Sequence, residues 1–290
     1  MPVLSVRETI RNGEFFVGDV LEVLRSMPTA SVDAIFTSPP YPGKMGRYEG
    51  LTKEERKRLN SIVWHEWMIE VAKECSRVSI GYSFFVVNGT VENGEYDGEP
   101  EFFIGGAKRA GLCLDRPCIW HKNSPPNRMN YLSNDWEYIV SIKNPLAIKS
   151  KSNKTPKEIF FDWEKIGTPP KYKTGGKFRQ RNANGERREG GDYPTNPITR
   201  PRDVIRATVG GGHLGSKIAH KTEAPFPESL VEYFVKAFVP EGGIVLDPFI
   251  GGGTVAAVAE RLGMRWIGID NRESQLDVTR DRVNSLGDVT

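Results

Sequence analysis

The chain has 290 residues, enough to bury a substantial core as one large domain or one domain with an insertion. No apolar run is long enough to span a bilayer, and the polar start "MPVLSVRETIRNGE" does not read as a signal peptide; with only three cysteines and no CxxC spacing, the expectation is a soluble cytoplasmic protein without a disulfide framework or a structural zinc. The net charge is only +3, yet thirteen Lys or Arg face four Asp or Glu between Lys143 and Arg188, a surplus of nine that leaves the rest about six negative and points to a polyanion partner.

Taken in chain order, "GEFFVGD" reads as a strand and "DVLEVLRSM" has helical spacing at Val20, Leu21, Val23, Leu24 and Met27. "VDAIFTS" reads as a buried strand that leaves through "TSPPY", Thr37 to Tyr41. Two successive prolines cannot extend a helix and donate no backbone hydrogen bond, so this exit is a stiff turn. A long helical stretch follows, opened by Thr52 with Glu55 three residues on, a capping-box pattern. "YSFFVVNG" is a further buried strand, "EFFIGGAKRAG" a helix ending at Gly111, and "CLDRPCIWHK" and "WEYIVSIK" more strands. Residues from about Asn144 to His220 show little periodicity; Trp163, Tyr172, Phe178 and Tyr193 lie there among Gly, Asn, Pro and basic residues, a mixture suited to phosphate and base-edge contacts. The last part resumes the alternation: helix "FPESLVEYFVKAFV", strand "GGIVLDPF", helix "TVAAVAERLG", strand "RWIGID". Strands separated by helices specify an α/β fold, a Rossmann-like, mostly parallel twisted sheet with helices on both faces.

Between the last two of these strands lies "DPFIGGGT", Asp247 to Thr254. Glycines let a backbone approach a ligand closely, and the amides that open a helix favour an anionic group. Sixteen residues after Thr254 comes Asp270, a strand-end acid placed to hold ribose hydroxyls. This half is suited to a nucleoside with an anionic tail. A dinucleotide fingerprint fails because Ala256 stands at the third glycine position, and no GK[ST] follows to make a P-loop. Gly210, Gly212 and Gly215 do spell GxGxxG, but prolines break the following segment, so this match reads as a loop.

"DPFIGGGT" resembles the S-adenosylmethionine motif FxGxG of amino-group DNA methyltransferases, matched by Phe249, Gly251 and Gly253. "TSPPY" resembles their catalytic motif (D/N/S)PP(Y/F). Gly18-Asp19, "IWHKNSPP", "WEYIV" and "AHKTEAPFPESL" resemble flanking segments, so the likeness covers most of the chain outside the basic middle. With the catalytic motif first and the cofactor motif last, the order is that of the permuted beta class. The resemblance implies a catalytic half over residues 1–142, an inserted target-recognition region over 143–219 and a cofactor-binding half over 220–290. It implies S-adenosylmethionine as cofactor and double-stranded DNA as partner, with no metal. It also implies a monomer or homodimer, and any companion restriction endonuclease acting separately.

An exocyclic amine is a poor nucleophile because its lone pair is delocalised into the base. Acceptors on both N–H groups would draw the nitrogen toward a tetrahedral state, acting by orientation and preorganisation. The resemblance gives these roles to the Ser38 hydroxyl and the Pro39 carbonyl, held by the Pro39-Pro40 turn, with Tyr41 stacking on a base flipped from the duplex. Asp247, Phe249, Gly251, Gly253 and Thr254 would surround the methionine end of the cofactor, Asp270 the ribose, and Asp19 the adenine amine; Asp19 also reads as a cap for the helix after it. Serine in the catalytic motif resembles the cytosine-N4 enzymes, with adenine-N6 methylation the alternative. The family often has Ser where Gly252 stands, and His220 and Phe226 serve only as structural markers. His65 and His121 read as packing or surface residues. Two rivals remain: cytosine-C5 chemistry through Cys118 in "RPCIW", which needs an activated thiolate, and an inactive DNA-binding protein on the same fold.

Overall fold

The computed structural model describes residues 8–40, 61–89, 91–92, 95–123, 134–144, 159–169, 177–192, 197–209 and 225–286. The chain divides into two compact units, Asp162–Arg202 and the remainder. Tyr41, Thr52, the GxGxxG glycines and His220 lie outside the described residues.

In chain order the strands are β1 (Glu8–Ile10), β2 (Gly13–Val17), β3 (Ala34–Thr37), β4 (Tyr82–Val87), β5 (Val91–Glu92), β6 (Glu95–Tyr96), β7 (Cys113–Leu114), β8 (Cys118–His121), β9 (Trp136–Lys143), β10 (Lys177–Arg181), β11 (Arg187–Asp192), β12 (Val204–Arg206), β13 (Ile244–Asp247) and β14 (Arg265–Asp270). The helices are α1 (Val20–Ser26), α2 (Ser61–Val78), α3 (Glu99–Arg109), α4 (Glu228–Phe238), α5 (Thr254–Arg261) and α6 (Glu273–Asn284). The main sheet has the order β1-β2-β14-β13-β3-β4-β9-β8-β12, with β7 also on β9. Strands β2, β14, β13, β3 and β4 run parallel; β1 and β9 are antiparallel to their neighbours, and β8 is antiparallel to β9.

Both faces of the parallel strands are covered, which is why "AIF", "FFVV" and "IVL" read as unbroken apolar runs. Alternate residues serve the two cores. Ala34, Phe36, Phe84, Val86 and Val245 face α4 and α5, while Ile35, Phe85, Val87 and Leu246 face α1, α2 and α3. On the first face Phe36 lies 5.0 Å from Phe234 and 5.5 Å from Phe226, and Phe84 lies 4.6 Å from Phe234. Phe226 thus has its place in the packing of β3.

The chain leaves β13 through α5 to β14 on one side, and leaves β3 through α2 to β4 on the other. These connections diverge, so a crevice opens between the carboxyl ends of β13 and β3, where ligands of open α/β sheets bind. The neighbours come from opposite ends of the sequence: Val245 pairs with Ala34 and Leu246 with Ile35. The segment read as unpatterned supplies two things. Strand β12 extends the main sheet beside β8. Unit Asp162–Arg202 contains the 3-10 turn Trp163–Ile166 and the antiparallel hairpin β10–β11, whose strands carry Lys177, Arg179, Arg181, Arg187 and Arg188. Among the described residues no helix is long and apolar enough to cross a membrane.

Candidate active site

Strand β3 delivers Ser38, Pro39 and Pro40 to the crevice edge. The Ser38 hydroxyl donates to the Val86 carbonyl of neighbouring β4 at 3.3 Å. A hydroxyl can donate and accept at once, so this contact is compatible with an acceptor role for the oxygen. The Pro40 carbonyl accepts from the Trp64 indole at 2.7 Å, and this ring is fully buried on α2. The stiff turn is therefore pinned from outside, and the Pro39 carbonyl is left without a hydrogen-bond partner among the described residues.

Strand β13 delivers Asp247, which is 1% exposed. Its Oδ1 accepts from the Thr37 hydroxyl at 2.6 Å and from the Phe249 amide at 3.0 Å. The first bond ties the end of β3, which leads into the Ser-Pro-Pro turn, to the end of β13, which leads into the glycine turn. Oδ2 is buried without a hydrogen-bond partner. Burial pushes the carboxyl up to about 7; the bonds from Thr37 and Phe249 oppose this, and the Asp270 charge adds to it. Phe249 sets its ring 5.5 Å from that of Trp67 on α2.

In the glycine turn, Gly251 and Gly253 have φ of 45° and 72°, conformations that suit glycine. The Gly251 amide donates to Asp270 Oδ2 at 3.2 Å, and the Gly253 amide to the Ile250 carbonyl at 2.9 Å. From α6, Thr279 donates to the Gly251 carbonyl at 3.0 Å, and Arg282 reaches the Gly252 carbonyl at 3.1 Å and the Thr254 hydroxyl oxygen at 3.0 Å. Arg282 is fully buried and pairs with Glu228 Oε1 of α4 at 2.7 Å, while Glu228 also holds Arg261. Burial pulls the guanidinium below the ordinary arginine range, and Glu228 opposes the shift.

Strand β14 ends at Asp270, whose Oδ1 accepts from the Arg272 amide at 2.9 Å. The Asp270 carbonyl accepts from the Gly18 amide at 3.0 Å, joining the end of β2 to this edge. Asp19 caps α1: its Oδ1 accepts from Leu21 and Glu22 at 2.9 and 3.0 Å. The other oxygen, Oδ2, has no hydrogen-bond partner among the described residues. Asp19, Ser38, Pro39, Pro40, Asp247, Phe249, Gly251, Gly253, Thr254 and Asp270 thus gather at the carboxyl ends of β2, β3, β13 and β14.

Thr37, Trp64, Trp67, Thr279 and Arg282 support this edge and escaped the sequence reading. The two tryptophans were visible at i, i+3 on an apolar helix face, but nothing in that pattern shows that one indole N–H meets a proline carbonyl. Cys118 lies elsewhere, on β8, with β4 and β9 between it and β3. Burial pushes its thiol up to about 11, with Asp203 and Asp115 adding to the shift, the reverse of what a nucleophilic thiolate requires. The C5 route through Cys118 is thereby removed. His65 pairs with Glu99 at 2.5 Å and His121 with Asp135 at 3.0 Å. No group of His, Cys, Asp and Glu suited to a metal occurs among the described residues.

A doubly wound sheet with a glycine turn at its switch point, bonded to a Ser-Pro-Pro turn, defines an enzyme that brings a nucleoside cofactor to a second substrate. A family model described as DNA methylase, for N6 and N4 methyltransferases, matches residues 32–281, and the chain belongs to this family. It is therefore a DNA methyltransferase, with S-adenosylmethionine as cofactor. Among its relatives, the Type II methyltransferase M.ScaI of Streptomyces caespitosus is 27% identical over 92% of this chain and 80% of its own length. M.Cfr9I of Citrobacter freundii is 23% identical over 94% and 88%. Among solved structures, the cytosine-N4-specific PvuII DNA methyltransferase aligns with a TM-score of 0.62 at 18% identity, over 95% of this chain and 94% of its own. TTHA0409 of Thermus thermophilus, in complex with S-adenosyl-L-methionine, gives 0.58 at 24%, covering 93% of each chain.

Proposed function

We propose that the chain transfers a methyl group to the N4 amine of a flipped-out cytosine in duplex DNA. The observation that carries this reading is the placement of the Ser38 hydroxyl at the edge of the cofactor crevice, where it bonds to the Val86 carbonyl at 3.3 Å and can also accept through its oxygen. Ser38 Oγ and the Pro39 carbonyl hold the two amine hydrogens, and the Trp64 bond to Pro40 fixes their spacing. Tyr41 stacks on the base.

S-adenosylmethionine supplies, when bound, an electrophilic methyl group on a sulfonium. The residues present fit it. Asp247 Oδ2, buried and unpartnered, suits the ammonium of the methionine end. The positive-φ glycines keep the turn free of side chains there. Asp270 accepts from the Gly251 and Arg272 amides and from the Arg272 guanidinium at 3.3 Å, and its carboxylate has further lone pairs for ribose hydroxyls; Asp19 Oδ2 suits the adenine amine. Phe249, backed by Trp67, and the first amides of α5 at Thr254 complete the cradle.

Residues 143–219 serve in target recognition, with the basic hairpin β10–β11 for phosphate contacts. The working state is a cytoplasmic monomer or homodimer, and an endonuclease of the same specificity, where there is one, acts as a separate protein. The test is mass spectrometry of nucleosides from DNA incubated with the protein and labelled S-adenosylmethionine. Label in N4-methylcytosine is expected. Label in N6-methyladenine would overturn the choice of base while keeping the mechanism. Specific DNA binding without transfer would leave an inactive binding protein.

A further inference from the structure

We propose that α6 sets the cofactor turn for binding, with Thr279 and Arg282 as positioning residues; this rests on the cofactor reading above. A peptide unit is planar, with its C=O and N–H on opposite sides. Thr279 takes the Gly251 carbonyl, so the Gly252 N–H of the same peptide is turned away from α6. That amide is in a buried residue and has no acceptor among the described residues. Arg282 takes the next carbonyl, that of Gly252, and the Gly253 amide of that peptide closes the turn on Ile250. With both carbonyls drawn toward α6, the free Gly252 amide faces the opposite side and joins the unpaired amides that open α5 as donors to the cofactor's carboxylate.

The fit is close on the α6 side. A Cβ at Gly253 would stand 2.9 Å from Thr279 Oγ1 and Cγ2, so glycine is needed for the helix to reach the turn. Thr279 and Arg282 are both fully buried. The Glu228 carboxylate balances the guanidinium, so this charge can sit beneath the turn without water. The same guanidinium holds the Thr254 hydroxyl oxygen, fixing the first residue of α5 against the turn.

The experiment is calorimetry of S-adenosylmethionine binding to the full chain and its variants, with steady-state methylation and melting temperatures in parallel. Thr279→Val keeps the side-chain shape and removes the hydroxyl. It is expected to weaken cofactor binding by about five- to tenfold. KM for S-adenosylmethionine should rise by the same factor, with kcat and KM for DNA within about twofold. Thr279→Ser, which restores the hydroxyl, should recover most of the affinity. Arg282→Lys, which keeps the charge opposite Glu228 but loses the planar guanidinium, should show the same selective loss. A Val variant with wild-type affinity overturns the positioning role, and so does a Ser variant as weak as Val. A wild-type chain that binds no S-adenosylmethionine overturns the cofactor reading itself.

Discussion

Asp247→Asn separates the charge of this side chain from its hydrogen bonds. In the folded chain Oδ1 is occupied by Thr37 and Phe249, Oδ2 is buried alone, and the carboxyl is pushed up to about 7. Only the ionised form offers charge to the ammonium of S-adenosylmethionine. The sign follows from the direction of the shift: the free protein keeps the proton to near neutrality and releases it on binding. Affinity therefore rises with pH through about 7 and then levels off. One pH unit below that point about a tenth of the carboxyls are ionised, which costs about 1.4 kcal/mol, or tenfold in Kd. Stability runs the other way. The neutral carboxyl stabilises the folded chain fully below the unfolded value near 3.8, and this contribution is lost as pH rises through about 7. Asparagine keeps an oxygen for Thr37 and Phe249 but does not titrate. Its cofactor affinity should be weak and lose the rise through about pH 7, and its stability should lose the part of the pH slope that this carboxyl contributes. Calorimetry from about pH 5.5 to 8.5, in two buffers of different protonation enthalpy, reads both affinity and proton release. A wild-type affinity constant across that interval, or an Asn variant that binds as tightly as wild type at pH 8, would refute the assignment.

Ser38→Ala should lower kcat by about 10²- to 10³-fold while cofactor and DNA affinities hold; unchanged turnover in a single-turnover assay would remove Ser38 from the chemistry. Asp270→Ala should weaken S-adenosylmethionine binding by about ten- to a hundredfold, since it removes acceptors from the ribose and from the Gly251 amide. Calorimetry that gives the wild-type Kd would move the ribose site elsewhere. Trp64→Phe removes the bond to the Pro40 carbonyl and should cost about 1 kcal/mol of stability, with several-fold slower turnover. A variant that melts lower but turns over normally would mean the indole holds the fold and not the turn.

The central parallel strands of the main sheet were legible because burial on both faces forces apolar runs such as "FFVV" and "IVL", whereas the short edge strands β1 and β12 were not. Helices α1, α3, α4 and α5 were legible from helical spacing or end signals. Helix α6 was not. Its buried face includes Gln275, Thr279 and Arg282, so no apolar stripe announces it, and Thr279 and Arg282 are buried because they bond to the glycine turn. The hairpin β10–β11 escaped for a different reason: "KFRQR" and "RREGGD" carry no alternation of apolar and polar residues. At the site, the sequence named the residues that short motifs spell, and those among the described residues lie at the carboxyl ends of neighbouring strands. It missed the Thr37–Asp247 bond, because these residues are 210 positions apart and only the pairing of β3 with β13 brings them together.

That pairing bears on how the protein comes to be made. A chain emerging from the ribosome exposes β3 long before β13 exists, so the inner side of β3 waits as an unpaired strand edge. Contacts of such sequence separation form slowly, and an open apolar edge invites association with other chains. The first half should therefore be a client for chaperones during synthesis. Catalytic competence should appear in one cooperative step, when the last strands insert between β2 and β3 and close the sheet.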